Sequence, residues 1–165
     1  MHWELVTANE PKQSARLASS LGEWLVLWGE SGIYGIASCS EGTAAGDAGK
    51  APRWIERAWK AYWRGEEPDV VLCSSRKPTA ITAAGWETVL KIPFGKSLSY
   101  GEVAVRAGIP RAPRAVGSVM RANPWALFLP CHRVIGSDGK MRGYGGPAGI
   151  ALKERLLEYE RQFAK

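Results

Sequence analysis

Long apolar runs are missing from this sequence, and none approaches the roughly 20 residues that a helix needs to cross a bilayer. The first residues also lack the basic and then apolar pattern of a secretory signal peptide. We therefore expect a cytoplasmic protein without a membrane partner. Cysteine is scarce, with three widely spaced residues at positions 39, 73 and 131, and no Cys-x-x-Cys or His-x-x-x-His spacing occurs. These absences argue against a disulfide framework and against a metal site. We interpret Cys39 and Cys73 as core thiols and leave open whether they are bridged.

Acidic residues are few in the second half of the chain. Residues 1–80 carry 9 Lys and Arg against 10 Asp and Glu, whereas residues 81–165 carry 13 against 6. The charge asymmetry predicts a C-terminal half that binds a polyanion and a near-neutral N-terminal half. A solvated basic surface with no partner is the alternative. The 165 residues, 45% of them hydrophobic, suit one compact domain or two small ones.

The first half of the chain has the pattern of a small α/β domain. Apolar runs at 24–28 and 33–39 flank a four-residue turn and predict an antiparallel hairpin. A helix follows over 53–64, and a short strand over 70–72. The aromatic residues of that helix recur at helical spacing and suit a core face better than a nucleic-acid platform. We expect a domain over residues 1–79 with an antiparallel sheet.

The second half, residues 80–165, is predicted to be mostly helical, which makes the whole chain α+β. A helix is expected over 83–91, and a last helix from about 147. Between them, Ser99 and Glu102 have the spacing of a capping box that opens a short helix, and a second helix runs over 113–122. A helix, a short turn and a second helix form the pattern of a helix-turn-helix.

The second helix of this pair carries few side chains that could read bases. It presents Arg114, Ala115, Gly117, Ser118 and Arg121. Small residues let a helix backbone approach a surface closely, which suits a narrow groove and sequence-independent binding, whereas major-groove readers use longer side chains. Helix–helix packing through small residues is the alternative interpretation.

Cys131 lies beside His132 and Arg133 in the run Pro-Cys-His-Arg-Val. A thiol near cations can be held as the thiolate, which is the nucleophilic form. A free cysteine is also among the most buried residue types, so the run by itself leaves an inert structural thiol open.

Several motifs in order resemble the O6-alkylguanine-DNA alkyltransferases, also called methylated-DNA–protein-cysteine methyltransferases. The resemblance covers about residues 80–163. The matching segments are Ile-Pro-Phe-Gly at 92–95, Ser-Tyr-Gly-Glu-Val-Ala at 99–104, Arg-Ala-Val-Gly at 114–117, Met-Arg-Ala-Asn-Pro at 120–124, the cysteine run, Gly-Tyr-Gly-Gly at 143–146, and residues 153–160.

The resemblance implies a function and a fold. The function is single-use transfer of an alkyl group from guanine O6 in duplex DNA to Cys131, after the base is flipped out, with no cofactor and as a monomer. The fold is a ribonuclease H-like N-terminal domain joined to a winged-helix-like C-terminal domain. Two alternatives remain: a lesion-binding alkyltransferase-like protein, against which the presence of Cys131 argues, and a helix-turn-helix regulator.

The resemblance also implies site residues. His132 would deprotonate Cys131 through a water, and Glu160 would orient His132. Tyr100 would donate a proton to guanine N3. Without the resemblance, we would expect Glu160 to be an exposed charge near the end of the last helix. Asn123 would be a hinge between the second helix and the active-site segment. The expected substrate pocket comprises Met120, Val134, Tyr144, Gly145 and Lys153. The expected DNA contacts are Arg114, Ala115, Gly117, Ser118, Arg121 and Ser137.

Two of these assignments carry open points. Arg114 would fill the gap left by the flipped base, although a phosphate contact is its alternative role. The stretch 147–152 is about two residues longer than in the relatives, which bears on the assignment of Gly145.

Overall fold

The computed structural model describes residues 1–6, 10, 12–39, 49–141 and 147–164, with residues 147 and 148 described by their backbone alone. The chain divides into two compact units, one comprising Met1–Lys77 with Pro124–Phe128 and the other comprising Pro78–Asn123 with Leu129–Lys165. A division into independent domains at residues 79 and 80 stays a prediction. None of the helices in the described ranges is both long and apolar enough to cross a membrane.

The first unit is built on a five-stranded sheet with the order β1-β5-β4-β3-β2. Its strands are β1 (His2–Leu5), β2 (Gln13–Ser19), β3 (Gly22–Trp28), β4 (Ile33–Ser38) and β5 (Val71–Ser74). The predicted hairpin is confirmed, because β3 and β4 pair antiparallel. The prediction of an antiparallel sheet is wrong for β5, which pairs parallel with both β1 and β4. A helix, α1 (Arg53–Tyr62), separates β4 from β5 and provides the crossover that parallel neighbours require.

The apolar face of α1 contributes to the core of this unit. Ile55, Ala58, Trp59 and Tyr62 are buried, which confirms that the predicted stripe is a core face at Trp59 and Tyr62. The α1 helix ends before Gly65, whose positive φ of 75° suits glycine.

The two cysteines of the first unit differ in their surroundings. Cys73 is a buried core thiol as predicted, but Cys39 is partly exposed, so its assignment to the core is wrong. Cys39 directly follows the last residue of β4, where the strand leaves the core. Both thiols are free, which answers the question of a bridge between them.

A short segment from the second half of the sequence groups with the first unit. Trp125 is fully buried and its indole donates a hydrogen bond of 2.9 Å to the carbonyl of Ile33. The backbone amide of Ile36 donates to the carbonyl of Pro124, and that of Ala126 donates to the carbonyl of Ile36. The chain therefore leaves the second unit after Asn123 and returns at Leu129, just before Cys131.

The second unit is mostly helical, as predicted. Its elements are α2 (Ala80–Leu90), β6 (Leu98–Ser99), α3 (Tyr100–Arg106), α4 (Pro113–Arg121), a 3-10 turn (Cys131–Arg133), β7 (Val134–Ile135) and α5 (Pro147–Arg161). The capping box is confirmed, because Ser99 accepts from the Glu102 amide and the Glu102 carboxylate accepts from the Ser99 amide. The α2 helix begins three residues earlier than predicted because the Thr79 hydroxyl caps it.

Candidate active site

Cys131 begins the 3-10 turn and is 6% exposed. The side-chain amide of Asn123 donates to its sulfur at 3.0 Å and to the Leu129 carbonyl at 2.9 Å. A donor on the sulfur favours the thiolate, because hydrogen bonding to a charged form stabilises that form. Asn123 lies two residues after the end of α4, so one amide group connects the end of that helix to the sulfur. These two hydrogen bonds are compatible with a hinge between α4 and the active-site segment, and that role stays a prediction.

Three buried side chains form an ion-pair network behind Cys131. His132 and Glu160 have no exposed surface and Arg133 is 2% exposed. His132 Nε2 lies 2.8 Å from Glu160 Oε1. Arg133 binds the carboxylate in a bidentate manner, with Nε to Oε2 at 2.7 Å and Nη2 to Oε1 at 2.9 Å. Its remaining nitrogen, Nη1, donates to the Ile92 carbonyl. The expectation that Glu160 is an exposed helix-end charge is therefore wrong.

The protonation state of this network follows from its contacts. Burial acts to raise the pKa of Glu160, but the hydrogen bonds of His132 and Arg133 and their positive charges, that of His132 being present only at acid pH, outweigh it and lower the pKa to about 2. Burial lowers the pKa of His132, and the Glu160 charge opposes this only in part. At neutral pH the carboxylate is therefore ionised and the imidazole neutral, so Nε2 carries the proton and donates to Glu160. The buried Nδ1 atom has no hydrogen-bond partner among the described residues, and its lone pair can accept a proton.

Lys153 lies on the buried face of α5, one turn of helix before Leu156. Its ammonium donates to the Val134 carbonyl at 2.5 Å and lies 5.8 Å from the centre of the Tyr100 ring. Burial lowers the pKa of Lys153, while the charge of the Cys131 thiolate raises it. The structure thus brings Lys153, Val134, Tyr100 and Cys131 close together, and their roles in a substrate site stay predictions.

The other predicted pocket residues are less clustered. Met120 is half-buried on α4 and Ser137 is exposed in a turn after β7. Tyr144 and Gly145 lie outside the described residues. Within the described ranges, no group of three His, Cys, Asp or Glu side chains is placed to hold a metal ion.

The outer surface of α4 carries the predicted DNA contacts. Arg114, Ser118 and Arg121 are exposed, whereas Ala115 and Gly117 are half-buried. Within the described ranges, a Cβ atom added at Gly117 would meet no atom of another element within 4 Å. The close helix contact in this unit is made elsewhere, since a Cβ atom at Gly85 of α2 would lie 2.7 Å from the Val119 side chain of α4. Helix–helix packing within the described structure therefore does not explain the glycine at 117.

From the sequence, Arg133 was predicted only to be a cation near Cys131, and its contact with Glu160 was missed. The sequence did contain a sign of this contact. Arg133 precedes Val134 in an apolar segment, and an arginine that is buried in such a segment needs an anionic partner. Only the fold shows that this partner is Glu160, 27 residues away.

Comparison with known proteins places this geometry in a family. The model of the 6-O-methylguanine DNA methyltransferase DNA-binding domain matches residues 80–162. A methylated-DNA–protein-cysteine methyltransferase of Mycobacterium tuberculosis is 44% identical over 104 residues, which cover 63% of this chain and 62% of that protein. A constitutive one from Bacillus subtilis is 33% identical over 158 residues, which cover 96% of this chain and 89% of that one. The aligned part thus spans less than two thirds of the mycobacterial relative but nearly all of the Bacillus one.

The solved structures agree with the sequence matches. The crystal structure of the Mycobacterium tuberculosis O6-methylguanine methyltransferase is 32% identical, has a TM-score of 0.77, and covers 94% of this chain and 96% of its own. A second crystal structure from the same organism, in complex with DNA, is 35% identical with a TM-score of 0.75 and covers 92% and 94%. These matches confirm the predicted resemblance and the mixed α/β fold, and the chain belongs to the O6-methylguanine-DNA methyltransferase family.

Proposed function

We propose that this protein repairs DNA by transferring an alkyl group from guanine O6 in duplex DNA to the sulfur of Cys131. The observation that carries the proposal is the arrangement around this thiol: Asn123 donates to its sulfur, and the adjacent His132 is held neutral by burial and oriented by an ionised Glu160. This is the order of nucleophile, base and orienting group that activates a cysteine. The Bacillus relative, aligned over most of its length, is named for the same reaction.

The chemical step balances as a displacement at the alkyl carbon. The Cys131 thiol loses its proton to Nδ1 of His132, through a water in the family mechanism. The thiolate then attacks the alkyl carbon, so a carbon–sulfur bond forms as the bond to O6 breaks. The electron pair stays with the guanine, which takes a proton at N3 from Tyr100 at the start of α3. Lys153, which lies near the Tyr100 ring and the Cys131 charge, favours the phenolate that this donation would leave.

The product is a thioether, which water does not hydrolyse. Each chain would therefore act once, and the extent of transfer is limited to one equivalent. We propose that the protein does this as a monomer in the cytoplasm, with a ribonuclease H-like first unit and a winged-helix-like second unit.

DNA binding is proposed to occur through α3 and α4, with α4 in the minor groove. The open space that the described residues leave around a Cβ atom at Gly117 supports close approach of a DNA backbone there. The target base has to leave the stack, at a cost of a few kcal/mol. Arg114 is exposed near the start of α4, where it can occupy the space that the base leaves.

The test is incubation with a duplex that carries one O6-methylguanine, followed by intact-mass measurement and peptide mapping. We expect a gain of one methyl group on the peptide that contains Cys131, at no more than one equivalent. Cys131→Ser is the matched control and should bind the same duplex without any mass gain. Lesion-preferring binding without mass gain in the wild type would contradict transfer, and binding without lesion preference would contradict the repair function altogether.

A further inference from the structure

The exposed residues of α1 in the first unit are all basic. Arg53, Arg57 and Lys60 are the three exposed residues of this helix. Their spacing of four and three residues places them on one side, opposite the face that contributes to the core. Residues 1–80 are nearly neutral in total, so their net charge does not reveal this basic face. The acidic residues of the unit lie mostly on other elements.

The three charges are not neutralised within the part of the chain that the structure describes, where none of them has an ion-pair partner. Other arginines of the same unit do have such partners. Arg64 pairs with Glu66 at 2.9 Å, and Arg16 pairs with Glu23 at 3.2 Å. The α1 helix contains one acidic residue, Glu56 in its first turn, which is half-buried at the edge of this face and has no ion-pair partner among the described residues.

We propose that this basic face, defined by Arg53, Arg57 and Lys60, binds the phosphate backbone of DNA as a contact additional to that of α4. The proposal rests on the proposed function and extends it to the first unit. The three residues span about 10 Å of helix axis at 1.5 Å per residue. That length matches about three successive phosphates along one strand.

The charge pattern favours DNA over a membrane surface as the partner. An interfacial helix needs an apolar face that is free to enter the lipid. The apolar face of α1 is buried in the core of the unit, and Ile55 and Tyr62 on it are each 1% exposed. What remains for a partner is a row of cations, which is suited to a regular row of phosphates.

The experiment compares two double variants of the full chain that remove the same charges. Arg57→Gln/Lys60→Gln neutralises the basic face, and Arg76→Gln/Lys77→Gln removes one exposed arginine and one exposed lysine elsewhere in the same unit. Glutamine keeps the helix propensity of α1. Affinity for an undamaged duplex of three helical turns is measured from about 50 to about 200 mM salt, and the slope of log K against log salt should become shallower by about 1.8 for the first variant. The second variant should keep the wild-type slope.

Three results would overturn the inference: an unchanged slope for the first variant, an equal change for the second, or a loss of binding to phosphatidylglycerol vesicles while DNA binding is retained. Thermal unfolding of both variants verifies that the fold is intact. Methyl transfer by the wild-type protein is measured in parallel. If transfer fails while the slope still changes, the repair function is wrong and the basic face still binds DNA.

Discussion

Replacement of Arg133 by methionine tests whether the buried ion pair holds the active site together. The guanidinium makes two hydrogen bonds to Glu160 and one to the Ile92 carbonyl, and it lies 4.4 Å from the centre of the Phe94 ring. Methionine keeps the unbranched part of the side chain up to the position of Nε, but it loses the guanidinium atoms that contact Phe94. The main effect is electrostatic.

The magnitude follows from what the substitution leaves behind. Glu160 is fully buried and keeps only His132 among the partners described above, while the Ile92 carbonyl loses its donor. Breaking a buried pair by removing one partner costs about 3–5 kcal/mol, because the other charge remains uncompensated. Protonation of Glu160 limits this cost, so the pKa of Glu160 should rise well above its present value of about 2.

The assay is a double-mutant cycle in which the free energy of unfolding of each variant is measured in urea. Arg133→Met is compared with Glu160→Gln and with the combination of both, and Arg133→Lys serves as the control that keeps the charge but loses the bidentate geometry. Because the two residues are in direct contact, the double variant should be more stable than the sum of the single effects predicts, by about 1–3 kcal/mol. Arg133→Lys should lie between the wild type and Arg133→Met.

The same variant has a consequence for transfer. When Glu160 is protonated it loses the negative charge that favours uptake of a proton by His132, so the transfer rate of Arg133→Met should fall more steeply below neutral pH than that of the wild type. A loss of less than about 1 kcal/mol in Arg133→Met, together with additive effects in the cycle, would refute the reasoning.

Three further predictions concern the thiol, the DNA-contact helix and acid stability. Asn123→Ala removes the donor to the Cys131 sulfur and should raise the pKa of the thiol, slowing its reaction with iodoacetamide at neutral pH by about tenfold; an unchanged pH–rate profile would contradict this. Gly117→Leu should weaken DNA binding without loss of stability in urea, whereas Gly85→Leu should cost about 1–3 kcal/mol through overpacking; equal behaviour of the two would show that position 117 is not a DNA contact. Because Glu160 has a lowered pKa, its contribution is complete above its usual pKa of 4.5 and is lost as the pH falls towards 2. Between about pH 6 and pH 3 the wild type should lose about 2 kcal/mol more of its unfolding free energy than Glu160→Gln does.

Local signals predicted the elements that depend on near neighbours. The capping box at Ser99, the end of α4 before Asn123-Pro124 and the hairpin of β3 and β4 all rest on residues a few positions apart, and all are found in the structure. The edge strands were missed. Strand β2 has one buried residue, Ala15, and β1 has none, so neither has the apolar alternation that indicates a strand.

Long-range placement could not be predicted from such signals. The parallel pairing of β5 depends on where the chain returns after α1, and the place of segment 124–128 in the first unit depends on the buried Trp125. Both are decided by which surfaces the whole chain can bury together.

The sequence by itself determined the chemistry that is available: a scarce cysteine beside a histidine, a helix of small residues flanked by arginines, and a charge asymmetry between the two halves. It also carried the motifs that identified the family. The tertiary structure decided the states of those groups. It buries Glu160 between His132 and Arg133, so the carboxylate stays ionised and the imidazole neutral. It also places the cations of α1 on one exposed face, because the opposite face of the helix is buried in the core. Charge states and surfaces depend on distance and burial, which a linear order of residues does not contain.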